Sequence, residues 1–257
     1  MAILKNLSKQ YKIAIGVVIF FFIVFNVQTY FNHYLYRTDA LDYGFHLQAL
    51  RNFCNCRSGP LTIFSLQLES FFQIHPSFTL AIISPIACLL KPIFGSYTLL
   101  LIMNIFITLG GYFTYKVILL RSKDEWLSLI AVVHYFVIGG HYSAISFGYV
   151  DPVVSAAVVP IFLYYFYKEK YWVSLIFMFF VITSRENMPL WFIFIGIFLL
   201  IDTYKNKKSR YWSIGISTIS LLYLILVFTV LIPAFNVESS EYSYNRFYIY
   251  RIGRKCA

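Results

Sequence analysis

Long apolar runs separated by short polar and basic stretches make up most of the chain. Segments of this kind predict seven membrane-spanning helices, at 13–30, 97–120, 126–145, 150–167, 172–184, 188–203 and 211–233. The runs lack the strict alternation of apolar and polar positions that a β-barrel requires. We therefore expect an all-α, polytopic helical membrane protein, with a single transmembrane domain over residues 1–233.

The first apolar run indicates how the chain enters the membrane. Lys5, Lys9 and Lys12 precede the run Ile13 to Val27, and no small-residue cleavage site follows it. Such a segment is typical of an uncleaved signal anchor. Because positive charge favours the cytoplasmic side, we expect a cytoplasmic N-terminus.

The segment Ser77 to Leu90 decides the side on which every later loop lies. It is apolar, but its length of 14 residues and Pro85 are more typical of an interfacial or re-entrant helix than of a span. If it lies flat, twelve of the 21 basic residues are cytoplasmic and nine are outside; if it crosses, the numbers are reversed. The positive-inside tendency favours the flat arrangement. The twelve residues are Lys5, Lys9, Lys12, Lys116, Arg121, Lys123, Lys168, Lys170, Lys205, Lys207, Lys208 and Arg210.

This topology predicts a long first outer loop at 31–96 that contains interfacial helices. The tail 234–257 is then expected on the outer side. The spans 172–184 and 188–203 are shorter than the ~20 residues that a full crossing needs. The charged turn between them is therefore expected to lie below the outer surface, beside a water-filled cavity.

Composition and charge narrow the class of protein further. Hydrophobic residues make up 60% of the chain and charged residues 12%, which excludes an ordinary soluble globular protein. The formal charge of +10 is spread over short clusters between apolar runs. Topology explains this pattern better than nucleic-acid binding does, so membrane lipids and no nucleic acid are the expected partners.

The four cysteines give a weak signal. One residue separates Cys54 from Cys56, which would strain a disulfide between them, and neither Cys88 nor Cys256 has an obvious partner in the sequence. We expect free thiols.

Seven polar side chains from four separate loops fall on the predicted outer side. Carboxylates persist next to hydrocarbon mainly where they are used, so these loops are expected to meet in one cavity. A carboxylate there can act as general base toward a hydroxyl nucleophile, while Arg, His or a divalent cation balances the charge of a departing phosphate. The seven residues are Asp42, His46, His75, His141, Asp151, Arg185 and Glu186.

Structural roles compete with these functional ones. Asp42 precedes an apolar stretch and Asp151 precedes Pro152, so each could serve only to begin a helix. His75 and His141 fit no spaced metal motif, and a lone His near an interface is usually hydrogen-bonded rather than a ligand. Two more groups have simple structural explanations: Arg185 and Glu186 could pair with each other, and the mid-span His134 is expected to bond a neighbouring helix.

Five short motifs from Thr38 to Asp202 carry a family resemblance through their order and spacing. The chain resembles a prokaryotic family of predicted integral membrane proteins of unknown function, which is distantly similar to the GT-C superfamily of glycosyltransferases. The motifs are Asp42-Tyr43-Gly44 with Gln48-Ala49-Leu50, His75-Pro76-Ser77 with Ser84-Pro85, Tyr97-Thr98-Leu99, Phe147 to Pro152, and Thr183 to Asn187.

The resemblance implies a GT-C-like fold in the cytoplasmic (inner) membrane of a prokaryote. It implies an inverting glycosyltransferase that uses a polyprenyl-phosphate sugar as donor and an acceptor on the outer face. Asp42 would be the general base or a metal-organising acid, and Asp151 and Glu186 would be supporting acids. Asp42 and Asp151 are the candidate metal ligands. Arg185 and His75 would face the phosphate.

Two features keep other functions open. A second acid that the resemblance would place five residues after Asp42 is Leu47 in this sequence, and His46 next to it is the group that could compensate. The resemblance also implies that the tail 234–257 is the start of a missing C-terminal part. Together these two features favour a truncated, inactive homologue as one alternative. The mid-span His134 and the short paired helices favour a transporter or lipid-handling protein as another.

Overall fold

The computed structural model describes residues 8–57, 61, 70–73 and 75–235. The described part is helical, and the all-α prediction is confirmed. Its α-helices are α1 (Lys9–Tyr34), α2 (Ala40–Cys54), α3 (Thr79–Phe94), α4 (Thr98–Ser122), α5 (Glu125–Val137), α6 (Gly139–Phe147), α7 (Asp151–Tyr167), α8 (Tyr171–Ile182), α9 (Met188–Asp202), α10 (Lys207–Leu226) and α11 (Ile232–Phe235).

Four continuous helical stretches within the described residues are long and apolar enough to cross a membrane. They are Lys9–Tyr34, Thr79–Ser122, Glu125–Phe147 and Lys207–Phe235. The expected spans 150–167, 172–184 and 188–203 correspond to α7, α8 and α9, which have only 17, 12 and 15 residues. A full count of seven crossings therefore stays a prediction.

Capping side chains explain why two helices begin earlier than the apolar pattern suggests. The Ser8 hydroxyl accepts a hydrogen bond from the Tyr11 amide at 3.2 Å, so α1 begins one turn before the apolar run. The Asn206 side chain accepts from the amides of Lys208 and Ser209, so α10 begins at Lys207 rather than at 211. Polar residues can cap because their side chains replace missing helical acceptors.

The segment that decides the topology forms α3. Both Pro85 and Pro92 lie inside this helix, and a 3-10 turn, Gly95–Tyr97, leads directly from it into α4. The expected helix in the first outer loop is therefore present. Its placement flat on the membrane stays a prediction.

The chain divides into two compact units. The first contains Met1–Leu47 and Pro85–Val181, and the second contains Gln48–Ser84 and Ile182–Ala257. In the first unit α4 is the central helix, since it packs against α1, α5 and α7. In the second unit α9 packs against α10.

A buried polar group joins α1 to α4 within the first unit. The Tyr97 hydroxyl bonds to Thr29 at 2.8 Å and to Asn26 at 3.0 Å, and the Asn104 amide donates to the same two side chains. Asn104 is fully buried. Each such intramembrane bond contributes about 0.6 kcal/mol on average, so the group chiefly fixes which faces of the two helices meet.

A glycine sets the distance between α9 and α10 in the second unit. A Cβ atom on Gly196 would lie 3.0 Å from the carbonyl oxygen of Ser213 and in contact with Ser217. The Ser217 hydroxyl donates to the Ile193 carbonyl at 3.2 Å. Small residues of this kind allow helix backbones to approach closely in membranes.

The cysteines differ from the expectation of free thiols. Cys54 in α2 and Cys88 in α3 are each disulfide-bonded, so the prediction is wrong for both. It is confirmed for Cys56, which is exposed and free. Cys256 lies outside the described residues, together with 236–255 and Ala257 of the expected tail.

Candidate functional site

The entry of α2 is fixed to the end of α6, and this positions the first group of predicted site residues. The Asp39 amide donates to the Phe147 carbonyl at 2.9 Å, and the Asp39 carboxylate caps α2 by accepting from the Asp42 amide at 2.8 Å. Gly148 has φ +134°, and a Cβ there would lie 3.7 Å from Tyr43. A residue with a side chain would be strained at this turn, so glycine suits it.

His46 and Asp151 meet as a result. The Nδ1 atom of His46 lies 2.6 Å from the Asp42 carbonyl oxygen, and its Nε2 atom lies 3.5 Å from Oδ2 of Asp151. The Tyr149 hydroxyl donates to Oδ1 of Asp151 at 2.8 Å. Asp151 is buried, at 4% exposure. We name Asp42, His46, Tyr149 and Asp151 the His46 cluster.

The contacts of His46 favour a proton on both ring nitrogens. A carbonyl oxygen can only accept, so Nδ1 must donate to Asp42, and a carboxylate beside Nε2 favours a second proton. Burial lowers the pKa of His46, but the hydrogen bond and charge of Asp151, with smaller contributions from Asp42, outweigh it and raise the pKa. The geometry and the raised pKa together favour an imidazolium–carboxylate pair between His46 and Asp151.

Tyr149 completes the cluster as a neutral donor. Burial, and then the negative charge of Asp151, raise the pKa of the Tyr149 phenol well above its usual value. The sequence motif contained this residue, but sequence reasoning did not assign it a role. Its position two residues before a buried aspartate was the available signal.

Asp42 differs from Asp151 in its surroundings. It lies in the first turn of α2, its side chain is exposed, and its carboxylate makes no hydrogen bond within the described residues. Capping does not explain it, because Asp39 holds the cap. Side-chain capping does not account for Asp151 either, since the N-cap residue of α7 is Val150, whose side chain caps nothing.

The second unit brings together His75, Arg185 and Glu186, which we name the Arg185 cluster. The Phe78 amide donates to the Thr183 carbonyl at 2.9 Å, and this holds the two segments side by side. Arg185 donates to Nε2 of His75, and Nδ1 of His75 lies 3.2 Å from Oε1 of Glu186. A guanidinium can only donate, so Nε2 accepts and Nδ1 carries the proton.

Glu186 is the buried member of the Arg185 cluster. Burial raises its pKa, but the hydrogen bond from His75 and the charge of Arg185 outweigh this, so the pKa is lowered. Glu186 is 8% exposed, and its second oxygen, Oε2, has no hydrogen-bond partner among the described residues. The expected direct pairing of Arg185 with Glu186 is replaced by a chain through His75.

Two histidines stand apart from these clusters. His141 in α6 packs on the rings of Tyr135 and Phe25, with centroid distances of 4.7 and 6.4 Å, and makes no bond to His46 or Asp151. His134 is exposed on α5 and has no partner within the described part of the chain, so the expected bond to a neighbouring helix is wrong.

The side-chain oxygens of Asp42 and Asp151 do not form a suitable ligand set for a divalent cation. Both oxygens of Asp151 face donors, Tyr149 and His46, which leaves Asp42 as the member with open oxygens. Among the described residues, no three His, Cys, Asp or Glu side chains come close enough together to hold a metal ion. Hard cations are usually bound by several oxygen ligands.

Comparison with known proteins identifies the family. The family model described as a predicted membrane protein (DUF2079) matches residues 32–251, which is most of the chain. No curated protein matches the chain. The matched range includes every residue of both clusters. The chain therefore belongs to this family of predicted membrane proteins.

Proposed function

We propose that the protein is a membrane glycosyltransferase of the GT-C kind. It transfers a sugar from a polyprenyl-phosphate donor to an acceptor on the outer face of the cytoplasmic membrane. The observation that carries the proposal is the exposed carboxylate of Asp42, one helical turn from His46. A carboxylate that is accessible and unpaired can take a proton from an acceptor hydroxyl.

The reaction needs one general base and one group that stabilises the negative charge of the departing phosphate. Asp42 removes the proton from the acceptor hydroxyl, and the hydroxyl oxygen bonds to the anomeric carbon of the sugar. The bond from that carbon to the phosphate oxygen breaks, and polyprenyl phosphate leaves with the electron pair. Attack from the opposite face inverts the anomeric configuration.

His46 and Asp151 act as positioning residues in this proposal. The bond from Nδ1 of His46 to the Asp42 carbonyl fixes the first turn of α2, and the pair with Asp151 fixes His46. When the base is already held in place, less conformational entropy is lost as the substrate binds.

Arg185 is assigned to recognition of the donor phosphate. Its guanidinium is half-buried and donates to Nε2 of His75. Arg recognises phosphate through several parallel donors. Glu186 holds His75 in the tautomer that accepts from Arg185.

Asp42→Asn tests the base directly. In proteoliposomes that contain a polyprenyl-phosphate hexose and acceptor lipids, the variant is expected to release polyprenyl phosphate roughly 100-fold more slowly or worse. Asp39→Asn is the matched control, since asparagine still caps α2 and removes one carboxylate three residues away. Release by Asp42→Asn within about twofold of the wild type would remove Asp42 from the mechanism.

A transporter remains the second candidate because of Glu186. The buried carboxylate of Glu186 has one oxygen without a hydrogen-bond partner among the described residues, and it lies in the turn that precedes α9. A group of this kind is typical of an ion or proton path. Substrate uptake by the wild type without any glycosidic product would favour this function. No uptake and no product would favour the inactive homologue.

A further inference from the structure

Three tyrosine rings from three helices surround one lysine in the first unit. The Nζ atom of Lys116 in α4 lies 5.6 Å from the ring centroid of Tyr11 in α1, 5.9 Å from that of Tyr112 in α4, and 6.0 Å from that of Tyr164 in α7. The Nζ atom of Lys168, at the end of α7, lies 5.9 Å from the same Tyr164 ring. Two ammonium groups thus flank one ring.

Among the described residues, these two lysines lack a carboxylate that neutralises them. Neither Lys116 nor Lys168 forms an ion pair within the part of the chain that the structure describes. Asp124 is a nearby acid in the sequence, and its carboxylate is engaged in capping α5. Both Nζ atoms lie within 6.0 Å of the Tyr164 ring centroid, so an anion beside this ring would be attracted by both charges.

The tyrosine hydroxyls add a hydrogen-bond donor. Tyr11 and Tyr112 share one bond of 2.9 Å between their hydroxyl oxygens. Because each hydroxyl carries one hydrogen and a shared bond uses only one, the second remains for another acceptor. A phosphate oxygen is such an acceptor.

The depth of the group suits a lipid headgroup. Six residues of α4 follow Lys116, so its Cα lies about 9 Å from the end of the helix. The side chain is half-buried, and long basic side chains extend from such depths toward the headgroups. Basic pockets between membrane helices bind anionic headgroups. An aromatic belt at the membrane interface would explain the tyrosines but not the two lysines beside them.

We propose that Lys116, Lys168 and the tyrosines Tyr11, Tyr112 and Tyr164 form a binding site for the phosphate headgroup of an anionic phospholipid. The site lies between α1, α4 and α7, on the side that the charge count predicts to be cytoplasmic. It is independent of the proposed transfer reaction. Its ligand is a lipid of the surrounding bilayer.

Removing both charges tests the site. The full chain, purified in a nonionic detergent with phosphatidylglycerol or phosphatidylcholine, is examined by native mass spectrometry for retained lipid. The wild type is expected to retain phosphatidylglycerol preferentially. Near a membrane surface each basic residue contributes enough for roughly a fivefold loss of retention per lysine, so Lys116→Gln with Lys168→Gln should weaken retention about 30-fold.

A matched control separates the site from net charge. Lys205→Gln with Lys207→Gln removes the same charge from exposed positions and should leave retention within about twofold. Lys116→Arg should retain the lipid. If the double variant does not fold, Lys168→Gln alone, at an exposed helix end, carries the test.

Three results would overturn the proposal. One is an equal loss in the control, which would mean that net charge decides retention. Another is the absence of any preference of the wild type for phosphatidylglycerol over phosphatidylcholine. The third is displacement of the lipid by inorganic phosphate alone, which would make the site a free-phosphate site.

Discussion

Replacing His46 with glutamine removes the positive half of a buried ion pair. At 3.5 Å, two unit charges attract by about 5 kcal/mol at an effective dielectric constant of 20, and much of this offsets the cost of burying them. Asp151 would remain 4% exposed without its cation. Breaking such a pair from one side costs about 3–5 kcal/mol, so we expect the variant to lose about this much of the free energy of unfolding.

The dependence on pH gives the sharper signature. The pKa of His46 is raised in the folded protein, so the pair contributes fully below the unfolded pKa near 6.5. The contribution is lost as the pH rises through the higher folded pKa. The difference between wild type and His46→Gln should therefore be largest at about pH 6 and should shrink under alkaline conditions.

Thermal unfolding of the two proteins in detergent, followed by tryptophan fluorescence over this pH range, measures the effect. His134→Gln is the matched control, because that histidine is exposed and has no partner among the described residues. Adding Asp151→Asn to His46→Gln should restore at least ~1 kcal/mol, since no unpaired buried carboxylate remains. A difference that is constant with pH would refute the ion pair and indicate lost packing alone.

Two further predictions concern the second unit. The pKa of Glu186 is lowered by His75 and Arg185 despite burial, so its contribution to stability is present above the unfolded pKa of about 4.5 and lost as the pH falls through the folded pKa. Glu186→Gln should abolish that acid-dependent decline in urea titrations, and a persistent decline would assign it to other carboxylates. Gly196→Ala should cost about 1–3 kcal/mol in SDS-induced unfolding, because its Cβ would press on α10. Gly215→Ala, which has nothing within 4 Å, should be neutral or stabilising, and equal losses at both glycines would contradict the packing argument.

The apolar pattern was sufficient to predict the helices, because long runs without alternation leave few other structures for a chain in lipid. It placed α4, α7 and α9 within two residues at each end. It missed the early starts of α1 and α10, which depend on single polar caps at Ser8 and Asn206. Length alone could not decide whether the short helices cross the membrane.

The sequence was sufficient to predict which residues form the candidate site, but not which of them contact each other. Asp42, His46 and Asp151 were selected because charge near hydrocarbon is costly. Their division into a buried pair and an exposed acid depends on the side on which each residue of α2 falls, which no short motif specifies. The position of His75 between Arg185 and Glu186 depends on a contact over more than a hundred residues of sequence.

The oxidised state of two cysteines bears on the orientation of the whole chain. Disulfides persist in compartments such as the bacterial periplasm and are rare where glutathione and thioredoxin keep thiols reduced. Cys54 closes α2 and Cys88 lies in the middle of α3, and both are disulfide-bonded. We therefore predict that both cysteines lie on the oxidising side of the bilayer, the side that the balance of lysine and arginine also predicts.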